Sequence, residues 1–439
     1  MLYTPEEISE HKIYKSISFR DVMINLYNNL PQACLPLLTV VFLLIGCGEG
    51  SKESGHGRPS YGFESDSFAL SATHEGQMSL FEALFLSGEG SDYTLPGNPE
   101  PSNLKAFFKD VRESYYKKSD GIDYSLIGKQ YHTFTHALDV MISTHALLES
   151  GGGAFLKRGE QAALVLAALG HDSMHTGVTN KFLINSKHPY SLATGHESLQ
   201  EKRSVEHVFG LLDKHQILVI EDSMSKSLQA EIRGARTLIK QSILWTDISQ
   251  HKNQMAQMTN LAPELLDILS NARGDESNEN KSGAVESDLS LRVPVHSLLQ
   301  DDSRLLIAAF ILHAADISNP GRDWETCERW AGLVMNEFFS QGDLEKKLGL
   351  PISMNCDRDK VLVPFAQIGF GKFVIRDLYM LLAKILPTGG GYLLSNFEEN
   401  QKKWKAIEEE VLSSGVPYAI KFKPPTRAGG WFGESAESN

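Results

Sequence analysis

The sequence predicts an all-α fold, and three observations carry that expectation. From about 102 to 270, and again from about 300 to 413, apolar residues recur mostly at helical spacing while strand-like alternation is scarce. The most apolar runs there, "AALVLAALG" at 162–170 and "LLIAAFILHAA" at 305–315, each read as a buried helix. A composition of 41% hydrophobic and 22% charged residues over 439 positions gives a sizeable core in an ordinary globular chain.

Taken in order, residues 1–100 read as a leader before one helical domain at 101–425, with a disordered tail at 426–439. Within the leader, "ACLPLLTVVFLLIGCG" at 33–48 is apolar throughout. It is shorter than the roughly 20 residues that cross a bilayer and starts too deep for a signal peptide. A membrane anchor and a buried segment both remain open for it; the favoured reading is a soluble, cytoplasmic protein. "EGSKESGHGRPSYGFES" at 49–65 reads as a linker, and "SGEGSDYTLPGNPEP" at 87–101 as a second loose stretch. The polar run "NARGDESNENKSGAVESD" begins at 271 and cannot bury enough surface to fold alone, so 271–298 is expected as an exposed insertion.

The formal charge of −13 excludes a nucleic-acid partner held through its phosphate backbone. Four cysteines, far apart and without a CxxC pair, suggest neither a disulfide framework nor a thiolate zinc site and fit a reducing compartment. Oligomeric state is not legible.

The chemistry is concentrated at the ends of the apolar helices. In "YHTFTHALDV", His132 and His136 stand four apart and share one helix face. In "HDSMH", His171 and Asp172 are followed by His175, and in "LHAADISNP" Asp316 ends another apolar run. Buried charge is costly unless paired or metal-bound, so three such ends converging on one cation would solve that cost together. Imidazoles with carboxylates suit zinc or another borderline divalent ion, and Asp172 could bridge to a harder magnesium or manganese ion. Two such ions call for phosphate-ester hydrolysis. Lone histidines such as His145, His207, His215 and His251 are expected to be structural.

The series "YHxxxHAxDV", "HDxxHxGxxNxF", "TDISxH", "HAADISNP", "EFFxQGDxEKxLGLP" and "QIGF", in this order over roughly 100–415, resembles the class I cyclic nucleotide phosphodiesterases. The resemblance implies a compact multi-helix catalytic domain with an HD-type metal site that cleaves cAMP, cGMP or both to 5′-monophosphates. It implies zinc on His136, His171, Asp172 and Asp316, and magnesium or manganese at a second site bridged by Asp172. It makes His132 the acid that protonates the leaving ribose oxygen, and His175 the group that orients hydroxide or a phosphate oxygen. It makes Glu201 a carboxylate that holds metal-bound waters and supports His132, and sets Thr246 and Asp247 beside those waters. The base would meet the amide of Gln367 between Phe370 and either Ile317 or Val334, with Asn319 and Cys327 lining the pocket. His132, His136, Asp172 and Asp316 would also touch substrate. Thr133, Met174 and Thr176 depart from the family's usual Asn, Asp and Pro, and Arg203 and Ser204 replace a histidine pair. A catalytically silent cyclic-nucleotide binder is the alternative reading.

Overall fold

The structure is a computed structural model that describes residues 61–86, 91–116, 129–273 and 294–420. All of these fall in one compact unit, Ser60–Asn439. The expected apolar segment at 33–48, most of the linker, the body of the 271–298 insertion and the 426–439 tail lie outside the described residues.

The helices run α1 (Ser67–Ser71), α2 (His74–Phe85), α3 (Pro101–Ser114), α4 (Phe134–Glu149), α5 (Arg158–Gly170), α6 (Asn180–Asn185), α7 (Pro189–Thr194) and α8 (Leu199–Lys214). They continue with α9 (Lys226–Leu244), α10 (His251–Arg273), α11 (Asp301–Asp316), α12 (Trp324–Leu348), α13 (Val363–Phe370), α14 (Arg376–Ile385) and α15 (Pro387–Ser414). No strand occurs among the described residues, so the all-α expectation holds. Among them, no helix is long and apolar enough to cross a membrane.

Local signals set the helix ends. Pro101 opens α3 and Pro387 opens α15, where the missing N–H costs nothing. Asp323 caps α12 through the backbone N–H of Thr326, and Gly349 ends that helix at φ 67°, a conformation glycine adopts without penalty.

Three helices form the centre. On α4 every residue from His136 to Leu148 is buried, and on α5 every residue from Ala162 to Gly170. A helix apolar all round belongs inside the molecule. These two pack on each other and both pack on α11. The start of α4 meets the C-terminal ends of α5 and α11, where His136 lies against His171, Asp172 and Asp316.

The helical body also extends on the N-terminal side of residue 101, where a leader was expected. Phe63, Leu80, Phe81, Leu84, Tyr93 and Leu95 are buried in the main core. The last residues of the expected linker are tied down by Arg322, which donates to the carbonyls of Phe63 (2.8 Å) and Ser65 (3.1 Å). At the far end of the expected insertion, Val295 is buried in a short 3-10 turn, Val295–Leu298. In each case a few large apolar side chains outweigh a polar, glycine-rich setting.

Candidate active site

The junction of α4, α5 and α11 brings His136, His171, Asp172 and Asp316 together. His136 Nε2 lies 3.0 Å from Asp316 Oδ1 and 3.8 Å from Asp172 Oδ2. His171 Nε2 lies 3.3 Å from Asp172 Oδ2 and 3.2 Å from Asp316 Oδ1. Ligand atoms of His136, His171 and Asp316 all fall within 4.8 Å of one another, as a metal ion requires.

The donor chemistry fits a cation. His171 Nδ1 lies 2.8 Å from the carbonyl of Ala168, so its N–H donates there and leaves the Nε2 lone pair facing two carboxylates. That nitrogen is buried and makes no hydrogen bond. A lone pair against two anions is stable only with positive charge between them. A proton is one source: burial would depress His171, but Asp172 and Asp316 together raise it well above an ordinary imidazole. A divalent ion is the other, and it satisfies all four side chains at once.

His132 stands beside this cluster on the segment entering α4. Its Nδ1 is hydrogen-bonded to Oε1 of Glu337, a buried carboxylate on α12. The other oxygen of Glu337 accepts the backbone N–H groups of Gln130, Tyr131 and His132 at 3.0, 2.9 and 3.3 Å. Burial would lower the His132 pKa, but the Glu337 charge outweighs it and raises the value. Burial would correspondingly raise Glu337, yet His132 brings it down to about 2.

The sequence had offered Glu201 as the support for His132. The structure puts Glu337 there, while Glu201 accepts from Asn180 Nδ2 at 2.9 Å. Burial, then the nearby Asp247, pushes Glu201 up to about 8. A signal for Glu337 was present: a lone carboxylate inside the apolar stretch "LVMNEFF", within a motif singled out for other reasons.

His175 stacks on His132, with ring centroids 3.8 Å apart and planes 23° apart. Its Nδ1 accepts the backbone N–H of Gly177 at 3.0 Å, so the proton of the neutral ring sits on Nε2. Burial first, and then the His132 charge, hold His175 neutral by lowering its pKa to about 3. His132, His175 and Glu337 also approach one another closely enough to hold an ion. Their nitrogens are committed instead, one to Glu337 and one to Gly177, so this group reads as a proton-handling pair.

Of the expected base-contacting residues, Asn319 is buried and donates from Nδ2 to Tyr131 Oη at 2.6 Å, leaving its buried Oδ1 without a partner. Gln367 and Phe370 are half-buried on α13, and Phe370 and Ile317 both pack at the margin of the main core. Val334 packs on a separate cluster with Tyr131 and Trp330. Cys327 is buried, its thiol pushed up to about 12 by desolvation. Asp247 accepts from Ser198 Oγ at 2.7 Å, while the Thr246 hydroxyl donates to the carbonyl of Ile243 at 2.8 Å. His145 pairs with Tyr93, His215 with Asp110 and His251 with His313, as structural histidines do.

The family model for 3′5′-cyclic nucleotide phosphodiesterase matches residues 131–395. The dual specificity calcium/calmodulin-dependent 3′,5′-cyclic nucleotide phosphodiesterase 1 of Drosophila melanogaster is 31% identical over 73% of this chain and 34% of its own length. The related enzyme 1B of Bos taurus is 31% identical over 59% of this chain and 42% of its own. The chain thus spans between a third and a half of the length of these curated relatives. Among solved structures, the phosphodiesterase domain of the RhoPDE fusion protein from the choanoflagellate Salpingoeca rosetta superposes with a TM-score of 0.57 at 25% identity, over 79% of this chain and 100% of that one. The matched span contains every helix that builds the four-residue cluster and the His132–Glu337 pair, and on it the chain belongs to the 3′,5′-cyclic nucleotide phosphodiesterase family.

Proposed function

We propose that this chain hydrolyses 3′,5′-cyclic nucleotides to nucleoside 5′-monophosphates. The observation that carries the reading is the placement of a hydrogen-bonded, protonatable His132 beside a four-residue site that demands positive charge. Zinc on His136, His171, Asp172 and Asp316, with magnesium or manganese beyond Asp172, follows from the borderline and hard character of these donors. When bound, such ions acidify water and neutralise the charge of the phosphoryl group.

The chain's own residues supply the rest. With Nδ1 held by Glu337, His132 presents Nε2 to the ribose 3′-oxygen and gives it a proton as the P–O3′ bond breaks and water's oxygen bonds to phosphorus. His175, neutral with hydrogen on Nε2, donates to a phosphate oxygen or the incoming water. Glu201 and Asp247 order water on the far side of Asp172. Gln367 pairs with the purine edge, which Phe370 and Ile317 flank, and its amide can rotate to suit adenine or guanine. Four scattered cysteines without a CxxC pair support a reducing compartment for this activity, in keeping with a cytoplasmic enzyme.

The test is the full-length chain assayed with cAMP and cGMP under magnesium and under manganese, with bound zinc measured on the same preparation. Formation of 5′-monophosphate from either substrate supports the reading. Cyclic nucleotide binding without turnover, with metal bound, would establish the silent binder instead.

A further inference from the structure

The chain carries a lysine two residues before Tyr131, and its ammonium group is directed inward. Lys129 Nζ donates to the carbonyl of Tyr115, at the end of α3, at 2.9 Å, and to the carbonyl of His175 at 3.0 Å. It also lies 5.3 Å from the centroid of the Tyr115 ring. The turn after His175 packs on the stem of the same lysine: a Cβ placed on Gly177, at φ +78°, would stand 3.3 Å from Lys129 Cβ. Tyr115 holds the other side of this loop, since its hydroxyl donates to Leu169 O at 2.9 Å and accepts from Asp172 N at 3.2 Å. The three residues that follow Lys129 are bound by Glu337. Lys129 therefore joins two pieces of chain that no helix connects, the segment presenting His132 and the loop presenting His175.

We propose that Lys129 is a positioning residue of this site, whose ammonium group ties the His175 carbonyl to the His132 segment and so sets the stacked His132–His175 pair. The inference rests on the hydrolase reading for its kinetic consequence and on geometry alone for its structural one. Lys129 is half-buried, and withdrawing its ammonium from water costs free energy that an apolar side chain would not; that desolvation pushes Lys129 down to about 8 despite the pull of Glu337 and Asp172. Two carbonyls from separate segments give that charge its hydrogen bonds. An ammonium can meet both; a methionine of similar length meets neither.

The test uses the full-length chain with Lys129→Met, Lys129→Gln and Lys129→Arg. Two readouts are taken: kcat and KM on the better cyclic nucleotide, and the ring Cε1–H resonances of carbon-13-labelled histidine, assigned through His132→Ala and His175→Ala. Misplacing a proton donor by a fraction of an ångström slows the chemical step more than binding, so Lys129→Met is expected to lose at least about tenfold in kcat with KM little changed. The His132 and His175 resonances should move together in Lys129→Met, and Lys129→Arg should recover most of both readouts. Should the methionine variant not fold, Lys129→Gln, which keeps one donor group, takes its place with a smaller loss. Wild-type kcat and unmoved resonances in a folded Met or Gln variant would overturn the proposal. Displaced resonances in a chain that turns over neither nucleotide would uphold the clamp and reject the hydrolase reading.

Discussion

Protonation of single side chains decides most of what this site can do. In the proposed reaction His132 must carry a proton to act, and the Glu337 charge, working against burial, raises its pKa above the ordinary value. A raised pKa keeps the imidazolium populated from low pH up to that value, so kcat should hold on the acid side and fall as pH rises through it. Glu337→Gln removes the opposing charge and should move this descent to lower pH while leaving the content of divalent metal unchanged. A descent that stays in place would show that some other group donates the proton. His132→Ala removes the donor and no metal ligand; kcat should drop about 10²–10⁴-fold with metal content intact. Met174 is a different case, held at φ 65° between Asp172 and His175 where a long side chain is strained. Asparagine adopts that conformation readily, so Met174→Asn should stabilise the chain by about 1 kcal/mol, read as a higher urea midpoint at unchanged slope.

On the scale of elements, the links between helices explain what the sequence could and could not disclose. The four cluster residues were legible because each ends an apolar helix, and a titratable group in that setting is conspicuous. The pairing of Glu337 with His132 was not, because the two lie some two hundred residues apart and no local pattern relates α12 to the start of α4, although the lone carboxylate itself stands out in its apolar stretch. The same holds for Asp139 and Arg322, a fully buried pair 2.8 Å apart that ties α4 to the turn after Asn319. Breaking such a pair strands a charge, so Asp139→Ala should cost about 3–5 kcal/mol in chemical denaturation. Gly342 is a further contact invisible in sequence. A Cβ there would stand 1.9 Å from the carbonyl of Cys356, so Gly342→Ala must push the loop after α12 away from the helix. Overpacking of this kind costs about 1–3 kcal/mol.

For the whole molecule, the consequential difference between sequence and structure is where the folded helical domain begins. Composition suggested residue 101, because glycine and serine dominate two stretches before it. Those stretches hold Phe63 and Tyr93, and Phe81 and Phe85 lie on α2 between them; all four are buried in the main core. The N-terminal helices also reach the site itself: Thr135 Oγ1 donates to Ser71 Oγ at 3.0 Å, and the Phe68 ring lies 4.5 Å from that of Trp330, which touches Tyr131 and His136. Deleting residues 1–100 would strip these side chains from the core, leave Arg322 without the Phe63 and Ser65 carbonyls and remove the support of α4. A chain beginning at 60 keeps every one of these contacts. The expected outcome is that the 60-onward chain binds zinc, melts cooperatively and turns over cyclic nucleotide as the full chain does, while a chain beginning at 101 loses all three. A 101-onward protein with a cooperative melt and full activity would show that α1 and α2 are dispensable, and that the boundary suggested by composition was the correct one.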